Sequence, residues 1–217
     1  MTTIIFIRHG QTAHNVDLVI TSGAPGGPLT PEGERQVAEL ANELRATAAQ
    51  PVEAVYSSPL RRARQSATIV AAPWGLAPIE REELRECSVG ELEGRSGPEA
   101  FARFDSTWDH WYHDEHPDLD YALGPGGESG RQALDRVRAV VRDIITAHPD
   151  GTVAVVGHGT VLQLALTWLS DNLRPSFGHR RWIPNAGTVV VAASADGIRC
   201  LEWSGQPVSA VTSGEVA

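Results

Sequence analysis

Two runs of apolar residues, at 4–7 and 152–156, limit the folds that this chain can adopt. Both runs, IIFI and TVAVV, are nearly continuous and do not alternate with polar residues. Strands of this kind bury both faces, as they do in a largely parallel sheet that helices cover on both sides. AVYSS, at 54–58, predicts a shorter strand between them. We therefore predict an α/β fold, a three-layer α/β/α sandwich with a mostly parallel central sheet.

Helical patterns alternate with these strands. Thr30 and Pro31 form a helix start, because threonine caps a helix and proline fits its first position. Other helices are predicted after Pro59, through a strong apolar stripe around 134–145, and over 160–169. The last two strands, TVVVAAS and IRCLEW, are joined by a tight Asp-Gly turn, so they predict an antiparallel edge to the sheet.

Size, charge and cysteine content exclude several classes of protein. The 217 residues carry a net charge of −9, whereas non-specific nucleic-acid binding depends on clustered basic residues. No apolar run reaches the ~18–20 residues of a bilayer span, and the N-terminus turns polar too early for a signal peptide. Cys87 and Cys200 belong to no ligand motif and are expected to be reduced thiols. We expect one cytoplasmic domain over 1–217, with a cap inserted around 97–124, that binds neither nucleic acid nor membrane.

Three of the predicted strands end in side chains of matching chemistry. Carboxyl ends of neighbouring parallel strands meet at one edge of a sheet, where ligands bind. If these strands are neighbours, two histidines and at least two arginines meet over one pocket. A glycine after each histidine lets the backbone turn sharply and a ligand approach closely. The residues concerned are Arg8, His9 and Gly10 after the first strand, Arg61 and Arg62 after Ser57 and Ser58, and His158 and Gly159 after the third.

Two imidazoles and two guanidiniums around one point repel each other unless an anion lies between them. A phosphoryl group fits, because guanidinium donors match phosphate oxygens. A neutral imidazole can attack phosphorus and form a covalent intermediate. No metal is needed if arginine and histidine neutralise the charge on the phosphoryl oxygens. A proton must still reach the leaving oxygen, and Glu86, in LRECSVGELEG, is a candidate for that acid.

Five segments, in family order, resemble the histidine phosphatase superfamily, which includes cofactor-dependent phosphoglycerate mutases and many small phosphatases. The segments are RHGQTAHN, SSPLRRARQSA, LRECSVGELEG, PGGES and VVGHGT. The resemblance implies a phosphoglycerate mutase-like fold and a phosphohistidine on His9. It also implies that Arg62, the arginine directly before alanine, is the matched one, which leaves Arg61 as a solvated helix residue. The implied site is catalytic His9, Glu86 and His158, with phosphate binding by Arg8, Asn15, Arg62 and Gly159.

The sequence favours a metal-independent phosphomonoesterase of the histidine acid phosphatase type, without a cofactor, acting on a small phosphorylated metabolite. A cofactor-dependent phosphoglycerate mutase is the alternative within the family. Cys87 stands where such mutases typically carry arginine, Arg103 is the only arginine of 97–123, and the tail 206–217 has no basic residue. These departures favour hydrolysis and a leaving group that is partly apolar or aromatic. A non-catalytic phospholigand-binding protein is the alternative of a different class.

The histidine-rich stretch WDHWYHDEHPDLD leaves three interpretations open. Its histidines are spaced by threes and could hold a metal ion. The segment could instead cap the active site and shape the leaving-group pocket, or only pack against the rest of the fold. The residues concerned are His110, His113 and His116, together with Trp108 and Trp111.

Two other positions stay open. Glu128, in PGGES, could anchor the start of the following helix or reach the pocket. Ser22 and Gly23 lie in a loop that touches the phosphate in many family members, but the spacing is ambiguous by one residue. The substrate and the oligomeric state are also undetermined, with a homodimer as one alternative.

Overall fold

The computed structural model describes residues 1–47, 50–179 and 181–209. Within these ranges the chain forms one sheet of seven strands in the order β3-β2-β4-β1-β5-β6-β7. Strands β1 to β4 run parallel to one another, whereas β5, β6 and β7 continue the sheet as antiparallel neighbours. The predicted α/β fold with an antiparallel edge is therefore confirmed. The strands are β1 Thr2–Arg8, β2 Val52–Ser57, β3 Ile79–Glu80, β4 Thr152–Gly157, β5 Thr188–Ser194, β6 Gly197–Trp203 and β7 Gln206–Pro207.

Seven α-helices and three short 3₁₀ helices connect or flank these strands in the described part of the chain. The second begins as predicted, with the Thr30 hydroxyl accepting a hydrogen bond from the Gly33 amide at 3.0 Å. The short first and last helices were not predicted, because a single turn shows too little hydrophobic periodicity. No described helix is long and apolar enough to cross a bilayer. The helices are α1 Ala13–Val16, α2 Pro31–Thr47, α3 Arg61–Ala71, α4 Pro98–Trp111, α5 Gly130–Ala147, α6 Gly159–Leu169 and α7 Pro175–His179.

Both faces of the sheet are buried, as the continuous apolar runs predict. Successive side chains of a strand point to opposite faces, so β1 contributes Ile4 and Phe6 to one core and Ile5 and Ile7 to the other. The first core is closed by α4, α5 and α6, and the second by α2 and α3. The result is the predicted three-layer sandwich.

Strand register brings the polar strand ends together. In the parallel pair of β1 and β4, Arg8 lies opposite Gly157, so His9 and His158 follow at the same level. In the pair of β2 and β4, Ser57 lies opposite Val156, which places Ser58 beside His158. The three strands are direct neighbours in the order β2-β4-β1. The predicted site required these three strands to be neighbours in the sheet, and they are.

Candidate active site

His9 is buried just beyond β1, and its ring orientation is set by its own main chain. Its Nδ1 lies 2.7 Å from the Gly10 carbonyl oxygen. Because a carbonyl can only accept, Nδ1 carries the proton and Nε2 keeps its lone pair. Gly10 is required here, since a Cβ on it would lie 2.4 Å from the Gly33 carbonyl oxygen. The Gly10 carbonyl therefore fixes the tautomer of His9 in which Nε2 carries no proton.

Arg62 joins the two histidines through one nitrogen. Its Nε donates to His9 Nε2 at 3.1 Å and to His158 Nδ1 at 3.2 Å, and the ring centroids are 5.2 Å apart. His158 Nε2 lies 2.7 Å from Ser58 Oγ, and it donates that bond because Nδ1 is already an acceptor. Burial, followed by the charge of Arg62, holds the pKa of His9 and of His158 well below 6.5. Both rings are therefore neutral around pH 7.

The two arginines line the same cavity, and each carries an unpaired donor. Arg8 donates from Nη1 to the Ile183 carbonyl at 2.8 Å and lies 4.8 Å from the centre of the Trp182 ring. Its Nε, like Nη1 of Arg62, is buried without a hydrogen-bond partner among the described residues. Burial lowers the pKa of Arg8 to about 10, so it stays charged at neutral pH. Buried charged donors without partners are costly, and a bound anion would satisfy them.

Gly159, the first residue of α6, completes this anion cradle, by which we mean Arg8, His9, Arg62, His158 and Gly159. A Cβ on Gly159 would lie 3.2 Å from Arg8 Nε and 3.2 Å from Trp182. Its main-chain N–H has no hydrogen-bond partner among the described residues. Because the amides at a helix N-terminus favour anions, the missing side chain leaves one more donor for the ligand.

Glu86 lies at the start of α6 and lines the same cavity. Its Oε1 accepts hydrogen bonds from the amides of Cys87 and Val161, both at 2.9 Å, and its Oε2 accepts one from Thr160 at 3.1 Å. The first amides of a helix have no partner within it, so they can hold a carboxyl group from another segment of the chain. The candidate acid is thus held by the helix that follows His158.

Arg136, on α5, fixes the chain just before Glu86. Its Nη1 donates to the carbonyl oxygens of Glu83, at 2.6 Å, and Arg85, at 2.7 Å. Its Nε and Nη2 form a two-pronged ion pair with Glu128, at 2.7 and 2.8 Å. Glu128 is not among the residues that line the cavity, and the start of α5 is capped by Ser129 and Gln132. Its observed role is a third one, because it holds Arg136 and, through it, the segment that carries the acid.

A cavity of about 440 Å³ opens above the cradle. Arg8, His9, Arg62, Gly159 and Glu86 line it. The rest of the lining is mainly apolar and comes largely from α4, from α1 and from the chain that follows α1. It includes His14, Leu18, Val19, Ile20, Val89, Phe101, Phe104, Asp105 and Trp108.

A family model for the histidine phosphatase superfamily, branch 1, matches residues 4–206. This chain belongs to that superfamily. Phosphoglycerate mutase-like protein 4 of Arabidopsis thaliana is 31% identical over 181 residues, 80% of this chain and 71% of that protein. The metal-independent phosphoserine phosphatase of Arabidopsis thaliana is 33% identical over 171 residues, 75% of this chain and 66% of that protein. The chain spans only 44% of three mycobacterial relatives that it matches.

The fold agrees with solved structures of this superfamily. Mycobacterial glucosyl-3-phosphoglycerate phosphatase in complex with VO3 superposes with a TM-score of 0.78 at 23% identity. The superposition covers 94% of this chain and 99% of that one. The predicted family and the predicted phosphoglycerate mutase-like fold are therefore confirmed, and relatives named as phosphatases support a phosphatase activity.

Asn15 of this histidine phosphatase lines the cavity beside His9, and a second amide that the sequence did not reveal lies next to it. Asn185 Nδ2 donates to the Asn15 side-chain oxygen at 3.2 Å and to the His9 carbonyl at 3.1 Å. Asn15 also caps α1 by accepting a hydrogen bond from the Thr12 amide at 3.0 Å. Asn185 lies in a loop without motif or periodicity, so no sequence signal pointed to it.

The loop after α1 resolves the one-residue ambiguity around Ser22. Thr21 lines the cavity. Ser22 faces Glu93 instead, to which its amide and its hydroxyl donate at 2.8 and 2.7 Å. Gly23 lies against the same carboxylate. Arg61 is exposed, as expected for a solvated helix residue.

The histidine-rich stretch does not shape the pocket through its histidines. His110 stacks on Tyr121 with ring centroids 3.7 Å apart, and His113 Nδ1 accepts hydrogen bonds from the amides of Glu115 and His116. None of the three histidines lines the cavity, and within the described ranges no group of three or more His, Cys, Asp or Glu side chains could hold a metal ion. Trp108 does line the cavity, whereas Trp111 is fully buried.

Proposed function

We propose that this histidine phosphatase is a metal-independent phosphomonoesterase that hydrolyses a small phosphorylated metabolite through a phosphohistidine on His9. One observation carries the proposal. Arg62 holds two neutral imidazoles with its Nε, while its Nη1 and the Nε of Arg8 are buried without partners. That arrangement supplies a neutral imidazole whose unprotonated Nε2 can attack phosphorus once the phosphoryl oxygens take over the Arg62 donor. It also supplies positive donors for the oxygens around the phosphorus atom.

The first step transfers the phosphoryl group to the enzyme. The phosphoryl oxygens accept hydrogen bonds from Arg8, Arg62 and the Gly159 amide. His9 Nε2 attacks phosphorus, so the N–P bond forms as the bond from phosphorus to the leaving oxygen breaks. Glu86, in its protonated form, gives its proton to that oxygen, and the alcohol departs.

The second step releases phosphate. Glu86, now a carboxylate, removes a proton from a water molecule that attacks phosphorus, and the N–P bond breaks. Inorganic phosphate leaves, His9 returns to its neutral form and Glu86 is again protonated. His158 accepts a hydrogen bond from Arg62 and donates one to Ser58, so we assign it to positioning the Arg62 guanidinium.

The cavity favours hydrolysis over mutase activity. A mutase must hold the second acidic group of a bisphosphorylated intermediate. Among the described residues, Arg8 and Arg62 are the only arginines that line the cavity, and the chain has no lysine. Arg103 lines two other surface depressions, and Cys87 is fully buried. The acidic group of a phosphoglycerate would therefore have no cationic partner beyond the cradle.

Turnover of p-nitrophenyl phosphate in the presence of a chelator tests the proposal. We expect the chelator to leave the rate unchanged and His9→Ala to abolish turnover. His116→Ala, an exposed histidine outside the cavity, is the matched control and should keep the wild-type rate. A rate that falls with the chelator and returns with added metal would contradict the metal-independent mechanism.

Two further measurements separate the alternatives. Rapid quenching during turnover should trap a phosphoprotein that is labile to acid and stable to base, as a phosphohistidine is, and His9→Ala should yield none. Incubation with 3-phosphoglycerate and its bisphosphorylated cofactor should give no isomerisation. Cofactor-stimulated isomerisation would establish a mutase, and tight phosphate binding without any turnover would establish a phospholigand-binding protein.

A further inference from the structure

Helix α4 presents one continuous face to the cavity. Phe101, Phe104, Asp105 and Trp108 line it, and their i, i+3, i+4, i+7 spacing is that of a single helix face. Phe104 meets Phe101 and Trp108 edge to face, with centroids 6.5 and 5.1 Å apart. Asp105 is the only charged residue on this face. Helix α4 therefore contributes to the lining an aromatic face that carries one carboxylate.

The Asp105 carboxylate is oriented by a neighbour on its own helix. Trp108 Nε1 donates to its Oδ1 at 3.2 Å. Its other oxygen, Oδ2, has no hydrogen-bond partner among the described residues, and no arginine pairs with the group there. Asp105 thus keeps one free acceptor oxygen among the residues that line the cavity.

The chain that follows α1 and the segment around Trp182 also contribute apolar residues to the lining. Leu18 and Trp182 line the cavity although 64% and 48% of their surfaces are exposed, and Val19 and Ile20 lie beside Leu18. Large apolar side chains left exposed around a cavity are typical of a ligand-binding rim. Apart from Arg8, Arg62 and Glu86, Asp105 is the only Asp, Glu, Lys or Arg residue of the described lining, and His14 is the only other titratable side chain there besides His9.

We propose that Asp105 is a specificity-determining residue, which selects apolar leaving groups carrying an amine or hydroxyl donor and disfavours those carrying a carboxylate. This inference rests on the proposed phosphomonoesterase activity. An ammonium or hydroxyl group can donate to the free carboxylate oxygen, while the ring or chain of the leaving group packs on the α4 aromatics. A carboxylate would meet a like charge and find no described cation to balance it.

Four aryl phosphates that differ in one substituent test this selectivity. They are the para-aminomethyl, para-hydroxymethyl, para-methyl and para-carboxymethyl phenyl phosphates, in which a methylene group insulates the leaving oxygen from the substituent. The measurement is kcat/KM for each ester relative to the para-methyl ester of the same enzyme variant. We expect the aminomethyl and hydroxymethyl esters to be preferred over the carboxymethyl ester in the wild type.

Substitution of Asp105 should change these ratios in a defined direction. Asp105→Asn should reduce the ratio of aminomethyl to carboxymethyl ester by about fivefold, as expected for one exposed charge pair, and Asp105→Arg should invert the preference. Asp109→Asn is the control, because Asp109 lies one turn further along α4, pairs with His179 and lies outside this cavity. The ratio of aminomethyl to carboxymethyl ester measured for Asp109→Asn should equal that of the wild type.

The outcomes separate this inference from the proposed function. Turnover of all four esters with ratios that the Asp105 variants leave unchanged would overturn the role of Asp105 and keep the phosphomonoesterase. A wild type that prefers the carboxymethyl ester would do the same. Failure of the wild type to hydrolyse any ester, including p-nitrophenyl phosphate, would overturn both.

Discussion

Acidification should destabilise this protein through the two histidines of its cradle. Both rings accept a hydrogen bond from Arg62 and are neutral when folded, and burial holds the pKa of each well below 6.5. In the unfolded chain the same rings take up protons near 6.5. The unfolded state therefore binds more protons below this pH, so the free energy of unfolding falls as the pH drops through it. Above that pH both states are neutral and the effect vanishes.

The magnitude follows from linkage. At about pH 5.5, protonation stabilises an unfolded histidine by RT ln 11, or about 1.4 kcal/mol, while the folded ring gains nothing. The two cradle histidines together cost about 2.8 kcal/mol relative to a pH well above 6.5. That is a large share of the ~5–15 kcal/mol that stabilises a typical domain.

Urea unfolding at about pH 7.5 and about pH 5.5 measures the effect. The buffers must be free of phosphate, because an anion in the cradle would stabilise the folded state by mass action. His9→Gln and His158→Gln each remove one of the two titrations, so each variant should lose about 1.4 kcal/mol less than the wild type over this interval. His116→Gln replaces an exposed histidine and should lose as much as the wild type.

Exposed carboxylates also titrate over this interval, but they are common to all variants and cancel from the comparison. Equal losses in the wild type and both cradle variants would show that the folded rings take up protons as readily as the unfolded ones. That result would refute the neutral pair, and with it the hydrogen-bond pattern from which the nucleophile was inferred.

Two further substitutions probe how the site is held. Gly26→Ala places a Cβ 2.5 Å from Arg62 Nη1 at a left-handed backbone position, so kcat/KM should fall about 100-fold, as when a catalytic group moves by an ångström. Gly75→Ala, at a similar φ with no atom within 4 Å, should cost stability only, and equal rates in the two variants would contradict the reasoning. Arg136→Met leaves Glu128, whose side chain is only 13% exposed, without its partner. It should lower the free energy of unfolding, measured by urea unfolding, toward the about 3–5 kcal/mol of a broken buried pair. A loss below about 1 kcal/mol would show that the pair is effectively solvated.

The cradle could be predicted from the sequence because strand ends are local features. An apolar run ends where its first large polar side chain appears, and Arg8 and His158 both lie at such a point. What the sequence could not show is the strand order, since the pairing of β1 with β4 joins segments nearly 150 residues apart. Arg62 Nε can donate to both His9 and His158 only because of this strand order and register. A sequence motif contains neither of them.

The leaving-group end was harder to predict for a different reason. The periodicity of α4 is weak because a charged residue, Asp105, interrupts its apolar face, and that interruption is the feature proposed to select substrates. The histidines drew attention through their spacing, yet His110 and His113 engage Tyr121 and the local backbone. Spacing alone does not tell which way a side chain points from a helix whose end is uncertain.

The junction of β4 and α6 connects the parts of the proposed mechanism. His158 ends the strand, Gly159 opens the helix at the cradle, and the amides of Thr160 and Val161 hold the Glu86 carboxylate. Four consecutive residues therefore link the partner of Arg62, a free main-chain donor and the candidate acid. Because β4 lies inside the sheet, between β2 and β1, and α6 is buried along most of its length, these groups are held in fixed relative positions. Glu86 lies in a loop, but its contacts with α6 hold it in a fixed position relative to the core. The proposed proton transfer to the leaving oxygen of a bound phosphoryl group requires such a fixed position.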